Sequence, residues 1–436
     1  MAKVKIDLNK KVKQIKPMHG VGQPPLAGSK STHFHFLTEA GIPYSRLHDV
    51  GGPYGGNRFV DIPNIFRDFS ADENDPASYD FTFTDHLITE LVKAGVEPYY
   101  RLGITIENDV LIKPYRVFPP EDFGKWARIC EHIVAHYNEG WADGFHYNIT
   151  YWEIWNEPDG GGGKNDLGAQ MWRGDPEDFF RLYDITAKHL KKRFPNIKVG
   201  GYGACELALI LDDVSNPAYA KTDKVWLKQI HDFFHGFFSY IKENGSPIDF
   251  FSWHTYKPVD VALKLDENIA KWVREYGFGD IELHLNEWNP YAIEHGSAHH
   301  AAEVAAMMLG MQDANTDILC IYDARMQGGT FSALFDGNIA KPFPTYYSLV
   351  GFNLLYKLGT QVELLNDTEG LYAVAASDGT RHAVMLANLS GTEQTLDFEG
   401  ACLKNARIYV TDELRAMSWA PNADSIPNNS VMIIEF

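Results

Sequence analysis

The stretch Tyr151-Trp152-Glu153-Ile154-Trp155-Asn156-Glu157-Pro158 decides how the rest of the chain is read. It has the character of a buried strand rich in aromatics, and it runs into an Asn-Glu-Pro stop and four glycines, Gly160 to Gly163. A carboxylate at the C-terminal end of such a strand is where an α/β barrel places catalytic groups. Taken alone, Asn-Glu-Pro is a short motif, and a Glu157 that caps the next turn or is merely solvated accounts for it equally well. The question is whether another strand end supplies a partner.

Before it lie three segments of the same kind, Met18–Gly22, Ile42–Asp49 and Glu97–Ile104. After it come Lys198–Tyr202, Asp249–Tyr256, Ile281–Asn289 and Asp317–Asp323. Amphipathic stretches separate them, at about Thr32–Ala40 (stopped by Gly41), Thr84–Val92, Pro120–Asn138, Pro176–Phe194, Lys224–Glu243, Ala262–Tyr276, His299–Ala314 and Thr345–Leu358. Eight strands alternating with helices predict a (β/α)₈ TIM barrel over residues 17–358. A doubly wound open sheet would need a glycine-rich phosphate turn after an early strand, and neither Gly20-Val21-Gly22 nor Gly51-Gly52 continues into one. The segment Gly51–Ser78 is long for a loop and carries Tyr54, Phe59, Phe66 and Phe69, so it reads as ordered and functional.

From Gln361 the pattern changes to short alternating runs, Val362–Leu365, Leu371–Ala376, His382–Ala387, Gln394–Phe398, Arg407–Val410 and Val431–Phe436. These predict an additional β-sandwich domain at 359–436, joined by N-terminal strands within residues 1–16. At 436 residues, one large and one smaller unit is the natural expectation.

Composition narrows the function. A net charge of −19 argues against a nucleic-acid partner, whose phosphates need Lys and Arg. Lys10, Lys11, Lys13 and Lys16 form only a short cluster, read as a solvated strand edge. Four scattered cysteines offer no metal spacing. No apolar run reaches membrane length and no leader is evident, which reads as a cytoplasmic chain, or as a periplasmic or secreted one if a leader has been removed. Ten Trp, 22 Tyr and 26 Phe mostly fill the core, yet such a surplus of rings also suits a sugar-binding cleft.

The seventh strand supplies the partner. Asn286-Glu287-Trp288-Asn289-Pro290 sets a second glutamate at a strand end, 130 residues beyond Glu157. Strands four and seven face one another across a closed barrel, so the two carboxylates can converge. Two glutamates about 5–5.5 Å apart perform retaining glycoside hydrolysis, one as nucleophile and one as acid and then base. His254 or Tyr256 could hold Glu287 ionised, and Asn156 is suited to a sugar 2-hydroxyl.

The chain resembles glycoside hydrolase family 39, whose best-known members are β-xylosidases of the retaining four/seven-barrel clan. The likeness lies in Tyr79-Asp80-Phe81-Thr82-Phe83-Thr84-Asp85, Ala94-Gly95-Val96-Glu97-Pro98 and, most strongly, Glu153-Ile154-Trp155-Asn156-Glu157-Pro158. It continues through Phe180–Lys188, Val199-Gly200-Gly201 and Asp249–Tyr256. The resemblance implies Glu157 as acid/base, Glu287 as nucleophile, and a barrel with a β-sandwich. Around Glu287 the family pattern reads Thr-Glu-Tyr-Asn, and after strand eight this chain has Tyr322-Asp323-Ala324-Arg325-Met326-Gln327-Gly328-Gly329 in place of an aromatic-rich segment. Mechanism therefore transfers further than substrate.

The expected function is an exo-acting retaining glycosidase on a β-xyloside or α-L-arabinoside, working on a carbohydrate substrate without cofactor or metal. Self-association is compatible with the sequence. Expected substrate contacts are Asn156, His254, Tyr256, His48, Arg46, Trp288 and Asp323, although a buried Arg46–carboxylate pair or a Trp288 turned into the barrel wall explains those residues equally well. Glu153 reads as an internal ion-pair partner, His299-His300 as a helix start, and Gly160–Gly163 as an active-site loop. Two other readings stay open: an endo-acting polysaccharide hydrolase of the same clan, and an inactive carbohydrate-binding barrel.

Overall fold

A computed structural model of the chain describes residues 2–26, 33–48, 50, 60–104, 117–161, 171–205, 224–290, 293–326, 331–337 and 339–436. Asp49, Tyr54, Phe59, Gly162, Gly163 and the segment 327–329, all named above, lie outside the described residues. Eight parallel strands close into a barrel: Gly20–Gly22, Tyr44–Leu47, Glu97–Leu102, Tyr151–Ile154, Lys198–Ala204, Phe250–Thr255, Glu282–Trp288 and Ile318–Tyr322. Closure is direct, with Val21 of the first strand registered on Ser45 of the second and on Ile321 of the eighth.

The strands form where the sequence is apolar on both sides, because the outer face meets helices and the inner face meets the other strands. Phe250–Thr255 is buried at every position. Alternation then sorts the fourth strand. Trp152 stacks on Tyr100 (ring centroids 5.0 Å apart), while Tyr151 joins Tyr99, Phe250, Ile318 and Cys320 in an apolar cluster at the barrel floor. Local signals set the helix ends. Asp122 accepts from the Lys125 N–H at the start of Phe123–Asn138, and Gly41, at φ 58°, closes His35–Ala40 in the left-handed region.

Nine further strands link in one hydrogen-bonded order: Ser418–Trp419, Arg407–Thr411, Ser430–Glu435, His382–Asn388, Leu371–Ser377, Thr360–Asn366, Ala2–Gln14, Gln394–Glu399 and Ser425–Ile426. Ser425–Ile426, at one end of that order, comes back against Ser430–Glu435 near the other. The additional β-domain is thus a single sheet curled over a core that includes Val4, Leu386, Leu396, Ile426 and Met432. Its other face, through Val374, Met385 and Ile433, packs on the barrel's last helices, where Gly351 leaves room for Ile433.

The lysine cluster begins in the strand Ala2–Gln14. Val4 and Lys5 pair on both sides, antiparallel with Thr360–Asn366 and parallel with Gln394–Glu399, but from Lys11 to Gln14 only Thr360–Asn366 is registered against the strand, and Lys10 and Lys11 are exposed on that solvated edge. Lys10 pairs with Glu363. Lys16 turns inward and donates to the carbonyls of Met311 (3.3 Å), Ala314 (2.8 Å) and Thr316 (2.7 Å), closing the C-terminal end of helix Ala298–Asp313. The Gly51–Ser78 segment holds a short helix, Ile62–Ile65, and a 3₁₀ turn, Pro76–Ser78. Among the described residues no helix is long and apolar enough to cross a membrane.

Candidate active site

The fourth strand ends at Ile154, and the backbone then turns across the barrel mouth. Trp155 (φ 72°) and Glu157 (φ 46°) both take left-handed conformations that cost a residue with a Cβ. Two main-chain bonds hold them, from Trp155 N–H to Leu102 O (2.8 Å) and from Glu157 N–H to Gly203 O (2.9 Å). Gly203 permits this approach: a Cβ there would stand 3.1–3.2 Å from Arg46 Nη2, Asn156 Oδ1 and His254 Nε2. Across the mouth, the register between strands six and seven shifts after Trp253 and Leu285, so that His254 lies opposite Glu287. Irregularities of this kind re-aim side chains at barrel rims.

The result is a compact constellation. Single ligand-type atoms of Glu157, His254 and Glu287 lie within 4.8 Å of one another. His254 Nδ1 is 2.8 Å from Glu157 Oε1 and 3.8 Å from Glu287 Oε2. Tyr256 donates to Glu287 Oε1 (2.5 Å), and Arg46 Nη1 donates to Glu287 Oε2 (3.0 Å). The other Arg46 nitrogens reach Glu153 Oε2 (2.8 Å) and Asn156 Oδ1 (2.5 Å). Because Asn156 receives Arg46 on its oxygen, its Nδ2 is turned away; that atom is buried and donates to no described group.

Electrostatics divide the two carboxyls. Burial raises Glu287 above the ordinary carboxylate range and the nearby Glu157 adds to this, while His254, Arg46 and the Tyr256 hydroxyl oppose it. Two carboxyls this close titrate as a pair. The Arg46 guanidinium and the Tyr256 phenol both donate to Glu287 and favour its ionised form against that burial. Glu157 faces His254, which burial pushes down to about 4 and keeps neutral. One carboxylate and one carboxylic acid side by side can attack an electrophilic carbon and protonate a departing oxygen.

The same three groups are the one described cluster that could surround a cation. The Arg46 guanidinium, 3.0 Å from Glu287, already supplies positive charge there and opposes a second cation.

Of the residues named from sequence, Glu157, Glu287, Asn156, His254 and Tyr256 come together at the mouth. Arg46 is fully buried beneath them and braces carboxylates, so it does not reach out to a sugar. Trp288 is 1% exposed and packs in the core with no face to offer. Asp323 is also buried; it accepts from the Arg325 backbone N–H (3.0 Å) and guanidinium (2.8 Å), ordering the chain after strand eight. His48 closes strand two beside the Tyr322 ring. Glu153 takes Arg46, Ser252 (2.6 Å) and Asn286 (2.7 Å), the internal pair the sequence suggested. His300 bridges Asn289 and Thr345 at its helix start, each at 2.8 Å. Sequence reasoning passed over Asp159, which is buried two residues beyond Glu157. Its place after a proline in a glycine-rich run gave no periodicity to reveal it.

A sequence model described as Glycosyl hydrolases family 39 matches residues 2–386. A β-xylosidase of Geobacillus stearothermophilus is 24% identical over 391 residues, which span 79% of this chain and 69% of that protein. Among solved structures, a glucosidase from Croceicoccus marinus superposes with a TM-score of 0.77 at 19% identity, covering 100% of this chain and 98% of that one. A monomeric β-xylosidase from Caulobacter crescentus gives 0.68 at 16% identity, covering 100% and 99%. At such identities the structural likenesses speak for the fold.

Proposed function

The chain belongs to glycosyl hydrolase family 39 and is a glycoside hydrolase, and from that premise we propose that it releases a terminal sugar with retention, using Glu157 and Glu287. The observation that carries this is the closeness of the two carboxylates, with oxygens within 4.8 Å. Retaining enzymes hold the pair about 5–5.5 Å apart, whereas inverting ones need about 6.5–9.5 Å for a water between them.

In the first step a Glu287 oxygen bonds to the anomeric carbon as the glycosidic C–O bond breaks, and the Glu157 proton goes to the departing oxygen. In the second, Glu157 takes a proton from water, the water oxygen bonds to the anomeric carbon, and Glu287 leaves as carboxylate. The Asn156 Nδ2 is available to donate to the sugar 2-hydroxyl, a contact that strengthens as charge builds on the ring. Tyr256 and Arg46 stabilise Glu287 whenever it is ionised.

A β-xyloside is the favoured substrate, because the Geobacillus relative is a β-xylosidase; an α-L-arabinoside comes second. The test is a panel of aryl xyloside, arabinosides, glucoside and galactoside, with the first-formed anomer read by NMR. Fastest turnover of the β-xyloside, with the β-anomer appearing first, is expected. An inverted first product would refute the two-step mechanism. Oligosaccharides rather than monosaccharide from a polymer would replace exo by endo action.

A further inference from the structure

We propose that Asp159 is a positioning residue for Glu157: its buried carboxyl ties the turn after strand four to the end of strand five and thereby fixes the reach of the acid. This rests on the reading of Glu157 as acid/base.

The turn needs such a tie. Trp155 and Glu157 are both held in left-handed conformations, which persist only where the surroundings over-determine them. The last main-chain link to strand five is Glu157 N–H to Gly203 O. The next residue, Pro158, has no N–H to offer. Asp159 makes the following link through its side chain, both oxygens accepting from Cys205 N–H at 3.0 and 3.2 Å. Gly160 then closes the turn by donating to Glu157 O (3.3 Å), and a Cβ on it would stand only 3.7 Å from the Cys205 sulfur. The segment carrying the acid is thus stitched to Gly203 and Cys205, two consecutive odd positions at one strand end.

The tie lies where burial favours an uncharged carboxyl. Asp159 is 1% exposed. Burial pushes its carboxyl well up; the Cys205 amide opposes this and the Glu157 charge adds to it. A neutral carboxyl accepting one amide N–H can be replaced by a carboxamide of the same shape, whereas an alkyl group leaves that N–H buried and unmet. Asparagine should therefore preserve the turn, and alanine should release it.

The experiment compares kcat/KM of Asp159→Ala, Asp159→Leu and Asp159→Asn on 2,4-dinitrophenyl and methyl β-xylosides, with Glu157→Gln as control. Leucine keeps the volume of the side chain without its acceptor, so it covers the case in which the alanine variant does not fold. A misplaced acid costs most where the leaving group needs its proton. Asp159→Ala and Asp159→Leu should lose about thirtyfold on the methyl glycoside and less than about threefold on the dinitrophenyl one, with Asp159→Asn within about threefold of the parent on both. Equal losses on both substrates, or none, would overturn the proposal. If Glu157→Gln itself shows no such split, the acid assignment falls first; if it does and the Asp159 variants do not, only this inference falls.

Discussion

The two ends of the barrel are built from the same residue types and differ in how completely those residues are partnered. At the floor, Glu282 accepts from Tyr151 (3.0 Å), from His284 Nε2 (3.1 Å) and from Lys198, and the other ring nitrogen of His284 meets the Tyr99 hydroxyl at 3.0 Å. Every member has a complement, and a cation stands beside the carboxylate. At the mouth, a glutamate again meets a tyrosine, a histidine and a cation, but there a second carboxyl, Glu157, stands in the same space. The Asn156 amide is left with a buried Nδ2 that has no described acceptor. Burial raises Glu287, while His284 and Lys198 more than offset burial at Glu282 and bring it to about 2. A saturated network is structural; a crowded one, short of acceptors, is equipped to receive a substrate.

Three substitutions at the mouth test that contrast, in falling order of effect. Glu287→Ala should lower kcat/KM by about 10⁴-fold or more on every glycoside, since no leaving group escapes the need for the nucleophile. A residual rate that varied with leaving group would move the nucleophile elsewhere. Glu157→Ala should cost about 10²–10⁴-fold on alkyl glycosides and far less on activated aryl ones. Arg46→Lys keeps the charge but not the fork that serves Glu153, Glu287 and Asn156 together. A loss of about 10-fold to 100-fold in kcat/KM is expected, with a lowered melting temperature, because one buried carboxylate loses its partner. An arginine-like rate in the lysine variant would show that charge alone suffices.

How much of this was legible in the chain depends on whether the signal was local. All eight barrel strands were readable, because each is an apolar run between turn residues. Glu157 and Glu287 could be paired because counting strands places them on the fourth and seventh. The position of Arg46 beneath both needed distances across the barrel, which spacing along the chain does not contain. For Trp288 the sequence allows both a substrate contact and a place in the barrel wall, and only the three-dimensional packing, which leaves it 1% exposed in the core, decides for the wall. The pairing of the first residues of the N-terminal strand with Gln394–Glu399 on one side and Thr360–Asn366 on the other was not legible, because both partners lie at the far end of the chain. Ser418–Trp419 and Ser425–Ile426, at two residues each, are too short for any periodicity.

The floor offers the smallest effect and the sharpest control. Glu282→Gln should leave kcat/KM unchanged within about twofold, since the site lies at the opposite end of the strands. Its signature is in stability against pH. The Glu282 carboxyl falls from 4.5 to about 2 in the folded protein, so the folded state binds its proton less readily than the unfolded chain does. The stability this contributes is fully present above about pH 4.5 and fades as the pH drops from there towards 2. Its side chain is 30% exposed and its partner Lys198 is 37% exposed, so solvent screening keeps the contribution to about 1 kcal/mol or less. Thermal melts from pH 7 to pH 3 should show the variant below the parent at neutral pH, with the gap closing as the acid end is reached. A gap that widened on acidification would mean that Glu282 is not held ionised at the floor, and the distinction drawn between the barrel's two ends would fail there.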